Sequence, residues 1–215
     1  MTNSQSDEVI VVENEVIEKV DRYKYLGQTV MMEDHTREEV TIRIKAGWSC
    51  FGRFKDILCD KKLPMTLRRR MYNQCVLPTM TYGAQTWTTT KQLENKLQVE
   101  QRAMKRKMLH IILRDKIKNT DIRRQTKVKD IIQKIKVSKW KWAGHLMRRE
   151  DNRWTKRATE WQPRTGKRKR GRPKRRWRDD LDAFLGISWA RLAQDRDKWQ
   201  NHEEGYIQQW MDTAW

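Results

Sequence analysis

The chain has 215 residues, enough for one or two small domains, and its 48 Lys and Arg against 28 Asp and Glu give a net charge of +20. The excess lies in residues 101–178, where 30 residues are basic and 6 acidic, which is the electrostatic footprint of nucleic-acid binding. No apolar run reaches the length of a transmembrane helix and no N-terminal signal pattern is present. The sequence therefore predicts a nuclear or cytoplasmic protein, neither secreted nor membrane-bound.

Short β-branched and aromatic runs at the N-terminus predict a small antiparallel β ribbon. Residues 9–12 and 16–17 have the composition of strands, with a turn at Glu13-Asn14 between them. Residues 23–30 are a further strand candidate, in which Gly27 marks a bulge or a close approach of the backbone. A ribbon of this size is too small to be a domain alone.

From Thr36 onward the hydrophobic period changes from two to 3.6 residues, which predicts helices. Thr36, followed three positions later by Glu39, has the form of a capping box at the start of the first helix. The clearest helix covers residues 92–113, with apolar side chains on one face. The opposite face carries the basic side chains of Arg102, Lys105, Arg106 and Lys107.

Residues 130–146 repeat this design. The basic side chains predicted on or beside the outer face of this helix are Lys134, Lys136, Lys139 and Lys141. His145 has no Cys or His nearby in sequence to share a zinc ion, so a structural hydrogen bond or a phosphate contact is expected of it. Core packing is expected of Trp142, Trp177, Trp189 and Trp199. Trp140 and Trp154, each flanked by basic residues, are the candidates for stacking on unpaired bases.

The most basic stretch is residues 167–178, where nine of twelve side chains are Lys or Arg and none is acidic. Its centre, Arg170-Gly171-Arg172-Pro173, resembles the core of an AT-hook, which places arginines in the narrow minor groove of A·T-rich duplex. Nonspecific phosphate binding or a nuclear-import signal explains the run equally well. The following Asp179 and Asp180 lie where a helix N-terminus favours negative charge, which accounts for them without a metal.

A face that is merely solvated mixes both signs of charge, so this excess of cations favours a surface that follows phosphates. The candidate contacts are Arg102, Lys105, Arg106, Lys139, Lys141, His145, Arg148, Arg149, Arg153, Lys167, Arg168, Lys169, Arg170, Arg172, Lys174, Arg175 and Arg176. The sequence shows no phosphate-binding loop, nucleophile–base pair or set of metal carboxylates. The residues alone therefore do not encode catalysis.

An ordered series of motifs resembles the C-terminal end of the reverse transcriptase of LINE-type (non-LTR) retrotransposons, nearest the RTE clade. The blocks extend over nearly the whole chain, and their order and spacing make the match specific. They are Tyr25-Leu26-Gly27, Arg43-Ile44-x-x-Gly47-Trp48, Leu77-Pro78, Tyr82-Gly83-x-x-Thr86-Trp87, Asp115-Lys116, Thr126-Lys127-Val128-x-Asp130, Trp140-x-Trp142-Ala143-Gly144-His145, Asp151-Asn152-Arg153-Trp154, Glu160-Trp161-x-Pro163, Gly171-Arg172-Pro173-x-x-Arg176-Trp177-x-Asp179-Asp180 and Trp189-x-Arg191-x-Ala193-x-Asp195-Arg196-x-x-Trp199.

The fold expected is mainly α: a helical thumb-like bundle with a short N-terminal antiparallel β ribbon and a basic, partly irregular C-terminal helical module. The resemblance implies that residues 1–32 are a remnant of the polymerase palm, with Tyr25, Leu26 and Gly27 at the primer grip. Residues 33–114 would be the thumb-like domain, and residues 115–215 a basic, Trp-rich module that binds nucleic acid. The implied function is to clamp template–primer through Lys/Arg–phosphate contacts, with RNA–DNA hybrid, duplex DNA and RNA as partners.

The family's catalytic aspartates belong to a Tyr/Phe-Ala-Asp-Asp motif upstream of the Tyr-Leu-Gly strand, and no such motif precedes Tyr25. The chain is therefore expected to be inactive alone and to need no cofactor, since Mg²⁺ would serve only the full-length polymerase. No small-molecule substrate and no membrane partner is expected, and the oligomeric state stays open. The alternative is an element-derived DNA-binding or chromatin-type factor that uses Arg170-Gly171-Arg172-Pro173; a third is a translated relic without function.

Overall fold

The computed structural model describes residues 10–13, 15–18, 20–31, 35–151, 154–160 and 175–211. These residues are mainly helical, with two short β hairpins ahead of the helices, which confirms the predicted fold class. The strands are β1 (Ile10–Val12), β2 (Glu15–Ile17), β3 (Arg22–Tyr25) and β4 (Gln28–Met31). The helices are α1 (His35–Arg53), α2 (Lys55–Leu58), α3 (Met65–Met71), α4 (Leu77–Met80), α5 (Lys91–Leu109), α6 (Asn119–Thr126), α7 (Ile131–Met147), α8 (Trp154–Glu160), α9 (Asp179–Leu185), α10 (Trp189–Leu192), α11 (Arg196–Asn201) and α12 (Glu203–Met211).

The four strands form two separate antiparallel hairpins. In the first, Val11 pairs with Val16, as the predicted turn at Glu13-Asn14 requires. In the second, β3 pairs with β4, and the chain reverses at Leu26 and Gly27, whose φ angles are 47° and 79°. The prediction of a single strand is wrong, because two successive residues with positive φ form the tight turn that twisted hairpins favour. The predicted alternative for Gly27, a close approach of the backbone, agrees with the structure, since a Cβ there would lie 3.3 Å from Tyr82 Cε1.

The start of α1 also differs from the predicted capping box. The helix begins at His35, so Thr36 lies inside it. The buried carboxylate of Glu39 accepts hydrogen bonds from the backbone N–H of Thr29 at 3.1 Å and from Arg43 Nε at 2.6 Å. Glu39 therefore joins the second hairpin to the helix, and its carboxylate does not cap the helix that contains it.

The first hydrophobic core lies among α1, the chain from α3 to α4, α5 and the first half of α7. Val40, Phe51, Tyr72, Met104 and Ile131 are among its fully buried side chains. They come from apolar faces of amphipathic helices, and burying such faces is what stabilises short helices in a protein. This core gives the thumb-like part of the chain a fixed framework on which charged side chains can be placed.

The second core lies between the other half of α7 and helices α9 to α12. The ring of Trp140 stacks on that of Trp199, with centroids 3.8 Å apart and planes 9° apart, and lies 4.8 Å from the ring of Tyr206. Trp189 is buried beside them. A Cβ on Gly144 would lie 2.5 Å from Trp199 Nε1, so the close approach of α11 to α7 needs a glycine there.

Helix α7 contributes to both cores. Ile131 and Ile135 lie in the first core, and Trp140 and Leu146 lie in the second. The change from one core to the other falls within this helix, whereas the predicted division between residues 114 and 115 stays a prediction. None of the helices that the structure describes is long and apolar enough to cross a membrane.

Candidate nucleic-acid interface

Lys136 and Lys139 lie at the seam between the two cores and are only 1% and 3% exposed. Lys136 Nζ lies 2.9 Å from Glu94 Oε1 and 3.4 Å from Asp180 Oδ2, and Lys139 Nζ lies 2.7 Å from Asp180 Oδ1. The Tyr206 hydroxyl donates to Asp180 Oδ2 at 3.1 Å. The prediction that these lysines face outward, and that Lys139 contacts phosphate, is wrong because carboxylates from α5 and α9 neutralise them inside the protein.

Burial and charge act against each other in this buried charge network. Burial lowers the pKa of Lys139 to about 8, although the Asp180 carboxylate opposes that shift. Burial also favours the neutral form of Asp180, but the ammonium groups of Lys139 and Lys136 outweigh it and hold the carboxyl pKa below its ordinary value. Asp180 is therefore ionised at neutral pH and supplies the negative charge that both lysines need.

Residues 177–180, which we call the anchor, fasten the end of the basic run to the first core. The indole N–H of Trp177 donates to the backbone oxygen of Gln85 at 2.7 Å. Lys139 Nζ donates to the backbone oxygen of Trp177 at 2.5 Å and lies 4.9 Å from the centre of its ring. Together with Asp180 in the seam, these contacts fix where the basic run ends.

Most of the basic run lies outside the described residues. This applies to Lys167, Arg168, Lys169, Arg170, Arg172 and Lys174, and also to Arg153. The resemblance of Arg170-Gly171-Arg172-Pro173 to an AT-hook therefore stays a prediction. In the part of the run that is described, Arg175 is half-buried and Arg176 is exposed, and the backbone N–H of Arg176 donates to Asp179 Oδ2 at 2.7 Å.

The C-terminal half of α7 presents a basic ridge to solvent. Lys141, His145 and Arg148 follow one another at i, i+4 and i+7, so they share one face of the helix. Lys141 and His145 are exposed, while Arg148 and Arg149 are half-buried. Arg148 Nη1 donates to the backbone oxygen of Ala193 at 2.9 Å. Ala193 directly follows α10, so this hydrogen bond joins the end of the ridge to the second core.

A cleft of about 690 Å³ follows the ridge, where α7 meets α8. Its basic side chains are those of Arg148, Arg149, Lys156 and Arg157. Carboxylates of Glu150, Asp151 and Glu160 line it as well, and Arg149 Nη2 lies 3.0 Å from Asp151 Oδ2. This cleft mixes both signs of charge, so the ridge on α7 is the stronger candidate for phosphate contacts.

The two tryptophans proposed for base stacking have opposite environments. Trp140 is fully buried with Trp199 on its face, so the prediction of a base-stacking role for it is wrong; the aromatic side chains of α11 and α12 occupy the position a base would need. Trp154 on α8 is 79% exposed, and the Arg157 guanidinium lies 5.5 Å from its ring centre. Its role in stacking stays a prediction.

A second group of cations lies where α5 faces α6. Arg102 and Arg106 are half-buried, and Arg106 Nη2 donates to Asn119 Oδ1 at 2.8 Å. Lys105 is only 2% exposed, so the prediction that it lies on the outer face is wrong; α6 and the chain after it cover that side of α5. Within the described part of the chain Lys105 makes no hydrogen bond or ion pair. Burial lowers its pKa to about 8, with Asp130 opposing the shift.

Replacing Lys105 by Met is expected to raise the free energy of unfolding at pH 7 by roughly 3 kcal/mol. The reason is that a pKa lowered from 10.5 to about 8 costs about 1.4 kcal/mol per unit when the lysine is charged. Because the unfolded chain binds more protons between these pKa values, wild-type stability should rise with pH above 8, and the variant should rise less. Urea unfolding at pH 7 and pH 9 measures both effects, and a variant less stable at pH 7 would contradict the assignment.

The turn at Tyr25, Leu26 and Gly27 packs against a second motif block of the chain. Tyr25 and Leu26 are exposed to solvent. The Tyr82 hydroxyl donates to the backbone oxygen of Leu26 at 3.0 Å, and the Arg43 guanidinium donates to the backbone oxygen of Gly27. The second hairpin is therefore fixed to the helical framework, and a primer-grip role for these three residues stays a prediction.

Sequence reasoning missed two cations of the near-neutral first half of the chain. Arg37 in the first turn of α1 and Lys96 on α5 line the same cleft as Arg175. No local motif marks them, because they meet only when α1 packs on α5. Their helix positions were predictable, but their proximity was not.

The described side chains offer cations and exposed aromatic rings, among them Trp154, which suit a polyanion. Within the described ranges no three His, Cys, Asp or Glu side chains converge as a metal site. Asp179 accepts a backbone hydrogen bond and Asp180 belongs to the buried charge network. Exposed cations and aromatic rings of this kind can contact phosphates and bases.

Comparison with known proteins gives one informative match. The chain is 33% identical over 199 residues to a transposon-derived protein of Caenorhabditis elegans. The alignment covers 85% of this chain and 70% of that protein. No protein-family model matches the chain, and no solved structure matches it.

Proposed function

Since the chain belongs to a family of transposon-derived proteins, we propose that it binds nucleic acid as the thumb and basic C-terminal region of a reverse-transcriptase-like element protein. The observation that carries the proposal is the exposure of the positive charge. Among the described basic residues of 101–178, only Lys105, Lys136 and Lys139 are buried. The remaining cations face solvent at least in part, where a polyanion can displace their counterions.

Contacts between motif blocks support the reverse-transcriptase part of the proposal. The Tyr25-Leu26-Gly27 turn touches Tyr82, which belongs to another block of the resemblance. The anchor likewise joins Trp177 to Gln85. Blocks that are distant in sequence thus pack together, as expected for parts of one functional unit. The proposal concerns binding, which is the function that the exposed cations support.

The test is the salt dependence of binding to RNA–DNA hybrid, duplex DNA and single-stranded RNA. Wild type should bind all three, with log Kd rising linearly with log salt concentration. A triple variant, Lys141→Gln, Arg149→Gln and Arg176→Gln, should weaken binding and reduce the slope by about 2 to 3, since each phosphate contact contributes about 0.9. Fluorescence anisotropy at salt concentrations from about 50 to 300 mM measures both the Kd and its salt dependence. Phosphate contacts are progressively screened over roughly this range.

A matched control removes the same charge from outside residues 101–178. Lys55→Gln, Lys61→Gln and Lys62→Gln change three exposed lysines near α2. This control should keep the wild-type slope. Equal losses in both triple variants would indicate attraction by net charge alone, without a phosphate-binding surface in residues 101–178.

A further inference from the structure

A cleft of about 680 Å³ opens between the first turn of α1 and the segment that leads into α5. Three cationic side chains line it: Arg37 from α1, Lys96 from α5 and Arg175 from the basic run just before the anchor. None of the described residues that line it is acidic. A concave surface with three cations and no carboxylate favours an anion.

Described carboxylates close in sequence to the lining residues have other partners; Glu39, for example, accepts from the backbone N–H of Thr29 and from Arg43 Nε. Glu38, next to Arg37, has its Oε1 3.6 Å from Arg22 Nη1. Glu94, on the first turns of α5, points into the seam, where it accepts from the Thr89 hydroxyl at 2.8 Å and lies 2.9 Å from Lys136 Nζ. None of these carboxylates neutralises the cations of the cleft.

Polar groups in the cleft retain capacity for a ligand. The Arg37 guanidinium makes no hydrogen bond or ion pair with a described residue. Lys96 Nζ donates one hydrogen bond, to the Thr41 hydroxyl at 2.9 Å, and has two further protons. His35 also lines the cleft, and its buried Nδ1 has no hydrogen-bond partner in the described part of the chain.

The backbone adds to the positive potential. Helices α1 and α5 have 19 residues each, and Thr36 and Gln92, from their first turns, both line the cleft. The N-terminus of a helix carries partial positive charge and exposed N–H groups, which favour phosphate. The two helix termini therefore act in the same direction as the three cations.

We propose that this cleft binds a backbone phosphate of a nucleic-acid strand, between Arg37 and Lys96 on one side and Arg175 on the other. Arginine can contact two phosphate oxygens at once, and the volume suits a nucleotide-sized ligand. The inference rests on the proposed nucleic-acid binding and adds a contact in the near-neutral first half of the chain. The anchor fixes the chain two residues after Arg175, so the strand would be bound between α1 and the end of the basic run.

The experiment uses the full chain, a labelled RNA–DNA hybrid, and two free competitors: inorganic phosphate and a nucleoside triphosphate. A double variant, Arg37→Gln with Lys96→Gln, should weaken hybrid binding at 100 mM salt by roughly tenfold or more and lower the salt slope by about 2. Its matched control is Lys45→Gln with Arg53→Gln, which removes two exposed cations from α1 outside the cleft. The control should bind within about twofold of wild type, and equal melting temperatures confirm that both variants fold.

The outcomes separate the cleft from the general function. If wild type fails to bind hybrid at all, the proposed function is overturned and this inference with it. If wild type binds and the double variant matches the control in affinity and slope, the cleft inference alone is overturned. If inorganic phosphate or the nucleoside triphosphate binds as tightly as the hybrid and displaces it, the site takes a free phosphate compound, and its assignment to a strand is overturned.

Discussion

Replacing Asp180 by Asn is expected to lower the free energy of unfolding by about 3 to 5 kcal/mol, because it leaves buried lysines without a counter-charge. Asp180 is 2% exposed and lies 2.7 Å from Lys139 and 3.4 Å from Lys136. Glu94 still faces Lys136 in the variant, but Lys139 loses the only carboxylate within ion-pair distance of it in the described chain. Urea unfolding at pH 7, followed by circular dichroism, measures the loss.

The adjacent residue provides the control. Asp179 is half-buried and accepts one backbone hydrogen bond, from Arg176, so Asp179→Asn should cost about 1 kcal/mol or less. The pKa of Asp180 is lowered in the folded chain, so its contribution is present above the unfolded pKa and is lost as pH falls through the folded value. The difference between wild type and Asp180→Asn should therefore shrink below about pH 4. Equal costs at the two positions would show that the seam carries no net charge stabilisation.

Replacing Trp140 by Ala is expected to cost about 3 to 5 kcal/mol of stability, with little direct effect on nucleic-acid affinity. The ring is fully buried, stacks on Trp199 at 3.8 Å and lies 4.8 Å from Tyr206, so its removal leaves a large cavity in the second core. Thermal and urea unfolding measure the first effect. Binding of single-stranded RNA, measured where the variant is still folded, measures the second.

Trp154→Ala is the matched variant on the surface. Because its ring is 79% exposed, its stability should change by less than about 0.5 kcal/mol. If Trp154 stacks on a base, affinity for single-stranded RNA should fall by about 1 to 3 kcal/mol. The reverse pattern, with affinity lost at Trp140 and stability lost at Trp154, would contradict the arrangement of the second core.

Helices could be predicted from the sequence where the hydrophobic repeat continues over many residues. The 3.6-residue repeat predicted α1, α5 and α7. Two short β-branched runs separated by the turn at Glu13-Asn14 predicted the first hairpin. The same reasoning did not locate the reversal at Leu26 and Gly27, because the residues on both sides of the turn have strand composition and Gly27 was interpreted as a bulge or a close approach within one strand. The prediction of a base-stacking role for Trp140 also failed, since α7 is apolar on more than one side. Which side is covered depends on α11 and α12, which come much later in the chain.

The environment of the charges was less predictable than the fold. A lysine in an amphipathic helix is ordinarily assigned to solvent, and that rule misplaced Lys136 and Lys139. Their carboxylate partner, Asp180, lies 44 positions beyond Lys136 and reaches it only after α9 packs against α7. For the same reason, the sequence did not predict that Arg37 and Arg175 line one cleft. Charge pairs between distant segments depend on tertiary packing, so the spacing of residues within one helix does not predict them.

The anchor also bears on how the length of a strand affects its binding. In the sequence, the cations of residues 167–174 lead directly into Arg175, which lines the cleft. If a strand binds in the cleft as we propose, any contact that it makes with these covalently joined cations is an intramolecular event, at an effective concentration in roughly the millimolar range. Each such contact avoids the translational entropy cost of a separate association. Long strands should therefore gain avidity that a mononucleotide, which fills the cleft alone, cannot obtain.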